Sequence, residues 1–473
     1  MSDKPLAVIV LAAGKGTRTK VSTPKVLLPL CGSPLLDFVL DAAAALEPRH
    51  TVVVLHHAKE TIEAALGPRF AREQALVVDQ GTPKGTGHAV RVALKALDES
   101  LGAPFVGDVL VIYGDTPLIT VETLRDLVAA LHRPATGMQF GNGSPKAGAG
   151  AALLVSDEMP PEGMGRILRD EQGYFVGIRE ERDCSDDELD ITEVNTGFCA
   201  FHATVLRDVL PELESSNDQG EFYLTDAFSL VLRRELEVET VFAHELDEAL
   251  GINDLRQLSE ARWVMQERIH DAHLARGVII EDPATTLIER DVEIGPETRI
   301  LPFTVIRNGV RIGAHCEVGP FTHLRVGATL DDQAEVGNFV EMKKSRLGQK
   351  SKAKHLTYLG DTTIGKRANI GAGTITANYD GKNKFETVIG DGAFIGSGTI
   401  IVAPVAVGDA AITGAGAVVT KDVPQGEVYV GVPARRFDKR SPSTGSPSTG
   451  GPSTGSPSKE GADGSAGQEG PSK

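Results

Sequence analysis

The stretch Leu11-Ala12-Ala13-Gly14-Lys15-Gly16-Thr17-Arg18, closed by Pro24-Lys25, has the residue types of a phosphate site. Gly14 and Gly16 let the backbone approach a ligand closely and turn its N–H groups towards an anion. Lys15, Arg18 and Lys25 bring positive charge to the same turn. The turn follows the apolar run Ala7-Val8-Ile9-Val10-Leu11, and open α/β sheets bind ligands at the carboxyl ends of such strands. A lone Gly-x-Gly is also what an ordinary strand-to-helix turn carries. The chain lacks the Walker A spacing and the Gly-x-Gly-x-x-Gly fingerprint, which argues against a P-loop or a dinucleotide site.

The elements that must position these residues read in two grammars. Up to about residue 255, short β-branched runs (Ala7–Leu11, Thr51–Leu55, Val109–Tyr113) alternate with helical stretches such as Leu35–Leu46. That pattern predicts an α/β domain with a mostly parallel, Rossmann-like sheet over residues 1–253. Apolar positions at helical spacing, with no Gly or Pro, predict a linker helix over 254–276. From there Ile288, Ile294, Ile300, Ile306, Ile312, Val318, Leu324, Leu330, Val336 and Met342 recur every six residues. The period resumes at Ile364 and Ile370, then at Ile389, Ile395, Ile401 and Val407. Period six predicts a left-handed parallel β-helix of hexapeptide repeats over 277–437, each aliphatic side chain pointing into a prism. Lys343–Thr363 and Ala377–Phe385 break the period and read as protruding loops, the usual place for function on a solenoid. Residues 438–473, Ser-Pro-Ser-Thr-Gly repeats and then Gly, Ser, Glu and Lys, read as a disordered tail.

Composition excludes several partners. The 473-residue chain carries a formal charge of −17 and only 5% aromatic residues, which disfavours nucleic acid and anionic membranes. Cys31, Cys184, Cys199 and Cys316 lack metal-site spacing and suit a reducing compartment. No stretch has the length of a secretory leader or a membrane span, so the expectation is a soluble, cytoplasmic protein.

The opening string resembles the signature of sugar-nucleotide pyrophosphorylases. Further blocks follow in that family's order: Gln80 with Gly85-Thr86-Gly87-His88-Ala89, Tyr113-Gly114-Asp115, Gly165-Arg166-Ile167, Glu180, Glu193-Val194-Asn195-Thr196-Gly197, Tyr223-Leu224-Thr225-Asp226 and Gly251-Ile252-Asn253. With the hexapeptide domain behind them, residues 6 to about 437 resemble the bifunctional N-acetylglucosamine-1-phosphate uridyltransferase/glucosamine-1-phosphate acetyltransferase family. The resemblance implies attack of a sugar phosphate on the α-phosphorus of UTP, a reaction that needs charge neutralisation and positioning. It assigns Mg²⁺ to Asp115 and Asn253, whose hard oxygens suit that ion. Lys25 would stabilise the α-phosphate, with Lys15 and Arg18 facing the others. Leu11, Ala12, Ala13, Gly14, Gln80, Gly85, Thr86, Tyr113 and Gly114 would hold the nucleotide, and Gly165, Glu180 and Asn195 the N-acetylhexosamine. His88 reads as a packing residue at a helix start. Where the family commonly carries Gln-Leu, this chain has Pro83-Lys84, a stiffer and more positive lead into the Gly-Thr-Gly loop.

In the hexapeptide half the resemblance implies acetyl transfer from acetyl-CoA to an amine, which needs a base. His355 takes that role, since an ordinary imidazole titrates near neutrality. Glu341 is a candidate to orient it. Arg325, Lys343 and Lys384 would bind the phosphate of glucosamine 1-phosphate, and Tyr358 and Asn369 its sugar. Ala372, Asn378, Tyr379, Ser397, Ala415 and Arg435 would contact acetyl-CoA. A homotrimer is the family expectation. Two rivals remain: a single-activity pyrophosphorylase with a structural or regulatory β-helix, and a non-catalytic scaffold. Both predict erosion of residues that are all present here.

Overall fold

A computed structural model describes residues 4–133, 148–215 and 220–437. The tail proposed for 438–473 lies outside the described residues.

Seven strands make the spine of the first half: β1 (Leu6–Leu11), β2 (His50–Leu55), β3 (Leu76–Asp79), β4 (Asp108–Tyr113), β5 (Ala149–Ser156), β6 (Val194–His202) and β7 (Glu237–Phe242). Their order in the sheet is β7-β5-β6-β4-β1-β2-β3. β1 pairs in parallel with β2 and β4, β2 with β3, and β7 with β5. Only β6 along this spine runs antiparallel to its neighbours β4 and β5. A hairpin of Arg166–Arg169 and Phe175–Arg179 extends from β6. β1 and β4 are buried along almost their whole length, which is why they read as continuous aliphatic runs. Helices such as Leu35–Ala44 and Thr86–Leu101 cover the two faces with separate apolar cores.

The second half winds into a prism of three sheets with ten, eight and seven strands, parallel except for the final pair Val428–Val430 and Arg435–Arg436. The first coils return after eighteen residues, as in Ile288↔Ile306, Ile294↔Ile312 and Ile300↔Val318. Every aliphatic residue of the period-six series is buried, and together they line one interior. Each contributes on the order of 1.5–3 kcal/mol by burial. Glycine has a steric role at the corners: a Cβ on Gly337 would sit 2.1 Å from the Lys354 carbonyl oxygen.

One expected loop is not a loop. Lys343–Thr363 stays in the coil as strands Arg346–Leu347, Lys352–His355, Tyr358–Gly360 and Thr362–Ile364. Leu347, Ala353 and Leu359 are fully buried and continue the interior column. The period is hidden because the spacing shortens to five residues at Met342→Leu347 and again at Leu359→Ile364. The second interruption does protrude. A bridge between Tyr379 and Lys384 closes a hairpin between strands Ile375–Ala377 and Thr387–Ile389.

The helix Leu255–Leu274 connects the halves. Asp254 caps it, accepting from the backbone N–H groups of Arg256 and Gln257 at 2.9 Å. The Gln266 amide then holds both backbone groups of Ile288, donating at 2.7 Å and accepting at 3.0 Å. Arg290 on the first coils pairs with Asp41 and lies over the Phe38 ring. The two halves are thus pinned by specific polar contacts as well as by the covalent link.

Candidate active sites

At the carboxyl ends of β1, β2, β3 and β4 lies a cavity of about 590 Å³. Its walls include Leu11, Ala12, Ala13, Gly14, Lys15, Lys25, Gln80, Gly85, Thr86, Tyr113 and Asp115. Gly16 has φ +60°, and a Cβ there would come within 2.8 Å of the Lys25 Cβ, so Gly16 seats the Lys25 stem. Gly14 is different: nothing lies within 4 Å of its would-be Cβ. The space beside Gly14 is therefore left for something other than protein. Arg18 is exposed in the short turn Thr17–Thr19 and is not among the residues lining this cavity.

Lys25 Nζ pairs with the Asp115 carboxylate and reaches Asn253 Oδ1 at 3.2 Å. Asp115 follows β4, and its carbonyl accepts from the Ile252 N–H at 2.9 Å, which draws the two oxygen donors together. The Asn253 N–H is fixed by Gln257 Oε1 at 2.8 Å. A carboxylate and an amide oxygen thus converge on one cation. No cluster of three or more His, Cys, Asp or Glu side chains with metal-site geometry occurs among the described residues. The donor pair fits a hard ion that keeps waters and ligand phosphates as its remaining partners.

Gln80 is buried, and its amide donates to the Gly85 carbonyl at 3.1 Å, bracing the following loop. Only glycine fits position 85, where a Cβ would lie 2.5 Å from the Phe222 carbonyl. Gly165, Glu180 and Asn195 come together beyond Tyr113. The Asn195 N–H donates to the Gly165 carbonyl at 2.8 Å, and a Cβ on Gly165 would lie 3.6 Å from the Glu180 carboxyl. Burial pushes the Glu180 carboxyl above the usual carboxylate range, and Thr225 donates to it at 3.3 Å. Tyr223, from the quoted Tyr223-Leu224-Thr225-Asp226 block, lines the cavity too, as do His56 and His57, which lie outside the quoted blocks and gave no signal.

In the prism, His355 ends strand Lys352–His355 on an exposed corner, correcting its expected place in a loop. Its carbonyl accepts from Gly373 N–H at 3.3 Å, that of Ala372 from Gly398 at 2.7 Å, and that of Ser397 from Gly416 at 2.8 Å. His355, Ala372, Ser397 and Ala415 therefore stack coil upon coil along one edge. Across the neighbouring face, at its other edge, Lys343 and Lys384 adjoin each other with Arg325 nearby. The adjoining Lys384 ammonium, chiefly, holds Lys343 below the usual lysine range. Tyr358 lies on the face between the two edges.

Within a single chain, four of the expected site residues (Glu341, Asn378, Asn369 and Arg435) stand apart from the groups expected beside them. Glu341 does not reach His355: it sits on a different face and receives the Arg325 guanidinium at 2.7 Å. Asn378 is not an open ligand contact, being 6% exposed and donating to the Asp361 carboxylate. Asn369, on the face of strand Lys352–His355, has no contact with the cation group, and exposed Arg435 lies on the last strand pair. Tyr379 is exposed on the hairpin, as expected for a ligand-facing residue.

The fold and these two sites define the class: an NTP transferase joined to a hexapeptide-repeat transferase. Residues 8–168 match the MobA-like NTP transferase domain, and 291–326 and 386–421 match bacterial transferase hexapeptide repeats. The bifunctional protein GlmU of Rubrobacter xylanophilus is 42% identical, with 92% of this chain and 94% of that relative aligned. Those of Thermobifida fusca (40%; 92% and 93% aligned) and Alcanivorax borkumensis (40%; 85% and 91% aligned) are similar. The chain belongs to the GlmU family of bifunctional enzymes, and its prism is a left-handed hexapeptide β-helix.

Proposed function

We propose that the chain builds UDP-N-acetylglucosamine in two steps at its two sites. Residues 277–437 acetylate glucosamine 1-phosphate with acetyl-CoA; residues 1–253 then transfer UMP from UTP to the product and release pyrophosphate. Convergence of Lys25, Asp115 and Asn253 on the cavity beneath Gly14 carries the second step. Mg²⁺ held by Asp115 and Asn253 would neutralise phosphate charge there. The Lys25 ammonium, held by those oxygens, supports reading them as a cation's donors; once they served the ion, Lys25 would be available to the α-phosphate. Lys15 meets the outer phosphates, while the Gln80–Gly85 brace presents the loop that reads uracil. Gly165, Glu180 and Asn195 hold the sugar.

For acetyl transfer, the substrate lies across one face of the prism. Its phosphate meets Arg325, Lys343 and Lys384 at one edge, and its amine reaches His355 at the other, with Tyr358 between. His355 takes the amine proton as the new bond to the acetyl carbon forms and the thiolate leaves. The stacked edge Ala372–Ser397–Ala415, with Tyr379, is the reading for acetyl-CoA. Homotrimer assembly belongs to the proposal, because Asn369 and Arg435 are left to serve a neighbouring copy. An exposed column of stacked rings, Phe303–Phe321–Phe339 at 4.8 and 5.0 Å, supports packing between copies. No helix of the described residues is long and apolar enough to cross a membrane; a cytoplasmic location is part of the reading. Omitting one component at a time from UTP, Mg²⁺, acetyl-CoA and glucosamine 1-phosphate tests it. Free thiol should require the amino sugar, and pyrophosphate the acetylated one. Pyrophosphate from glucose 1-phosphate alone would overturn the substrate assignment.

A further inference from the structure

We infer that Asp361 is a positioning residue for acetyl transfer, holding Lys384 against Lys343 and placing an anion near Lys343. The inference rests on the phosphate role proposed for those lysines. Three bonds carry it. The Asp361 N–H donates to the Lys343 carbonyl at 3.0 Å, and its own carbonyl accepts from the Thr387 N–H at 3.1 Å. Its carboxylate accepts from the Asn378 amide. One residue therefore ties down the coil bearing Lys343, the first residue of the hairpin and the strand that follows it. Lys384 sits between those two anchors, braced by the Asn378 carbonyl accepting from Phe385 N–H at 2.9 Å.

The electrostatics point the same way. The charged groups facing Lys343 are Lys384 on the hairpin, Arg325 on the coil beneath, and Asp361. Glu341 is engaged by Arg325. Asp361 alone among these acts to keep the Lys343 proton in place. Two ammonium groups brought together repel each other, and a hairpin with a free root would relieve that by swinging Lys384 away. A nearby carboxylate limits the repulsion until a phosphate dianion replaces it. Space around this root is full: a Cβ on Gly360 would come 2.5 Å from the Tyr358 hydroxyl and 2.7 Å from Asn378 Nδ2. Tyr358 and Asn378 thus crowd the same point above Gly360.

Two substitutions separate position from charge. Asp361 has φ +47°, a conformation that Asn and Gly both accept. In the full-length protein, D361G keeps the two backbone bonds but removes the carboxylate's hold on Asn378 at the hairpin root, and should raise KM for glucosamine 1-phosphate about tenfold or more, with kcat within about threefold. D361N keeps an acceptor for Asn378 and should leave KM within about threefold near neutrality. Without the anion, however, Lys343 loses its proton at lower pH, so the alkaline rise in KM should begin at lower pH than in the parent. Pyrophosphate release should be unchanged in both, which also reports that the chain is folded. A merely structural Asp361 would cost kcat and melting temperature and leave the alkaline limb of D361N in place; that result overturns the inference. A parent chain that releases no thiol from acetyl-CoA with this sugar removes the functional reading instead.

Discussion

The two sites treat charge in opposite ways. Under the Gly14 turn, Lys25 is already matched by Asp115 and Asn253, so the site is electrically satisfied before any ligand arrives. On the prism, Lys343 and Lys384 face each other with Arg325 close by; Glu341 engages Arg325, and Asp361 is the anion that favours the Lys343 charge. The first arrangement suits exchange of partners among a metal, phosphates and a lysine. The second holds repulsion that a single dianion relieves. Fold explains the contrast: a βα turn can gather opposite charges from distant segments, whereas a solenoid stacks neighbouring coils and readily brings like residues together.

The largest effects should come from severing one site and reading the other. K25A should lower pyrophosphate release by about 10²-fold or more while thiol release from acetyl-CoA stays near the parent rate. Parallel losses in both assays would show that the sites are not separate. Next in size, inorganic phosphate should raise the melting temperature of the parent chain and have much less effect on K343A/K384A, since the dianion relieves their repulsion. An equal shift in the double variant would remove the phosphate role from that edge. Within the nucleotide site, the two glycines should differ. G16A meets a left-handed backbone and the Lys25 stem, costing on the order of 1–2 kcal/mol in denaturant unfolding. G14A meets open space, so stability should hold while KM for UTP rises. A reversed order would mean that Gly14, not Gly16, supports the fold. Smallest in its effect on catalysis, Q266L should lower stability by about 1–3 kcal/mol through loss of the paired bonds to Ile288, with both activities retained.

Much of this was legible in the chain because it depends on local spacing. The parallel sheet announces itself through uninterrupted runs such as Val8–Leu11, and the prism through an aliphatic residue at every sixth position. What was misread depends on where a corner falls. Two five-residue steps disguised Lys343–Thr363 as a loop, and Ala353, small and easily passed over, was the buried residue that would have revealed the coil. Glu341 is a candidate partner of His355 only on the general logic that a carboxylate fixes an imidazole tautomer, and the two lie on separate faces. The Asp361–Asn378 bond was illegible for another reason. Its partners lie seventeen residues apart and meet only because the hairpin begins where the next coil passes. The resemblance gives Asn378 to acetyl-CoA, and within the chain its side chain anchors the hairpin root to Asp361.

The measurement that bears most directly on two independent chemistries in one chain is a paired assay of H355A at full length. Thiol release from acetyl-CoA with glucosamine 1-phosphate should fall about 10²–10⁴-fold, while pyrophosphate release from UTP with N-acetylglucosamine 1-phosphate stays at the parent rate. Undiminished thiol release, or loss of both together, would contradict the account.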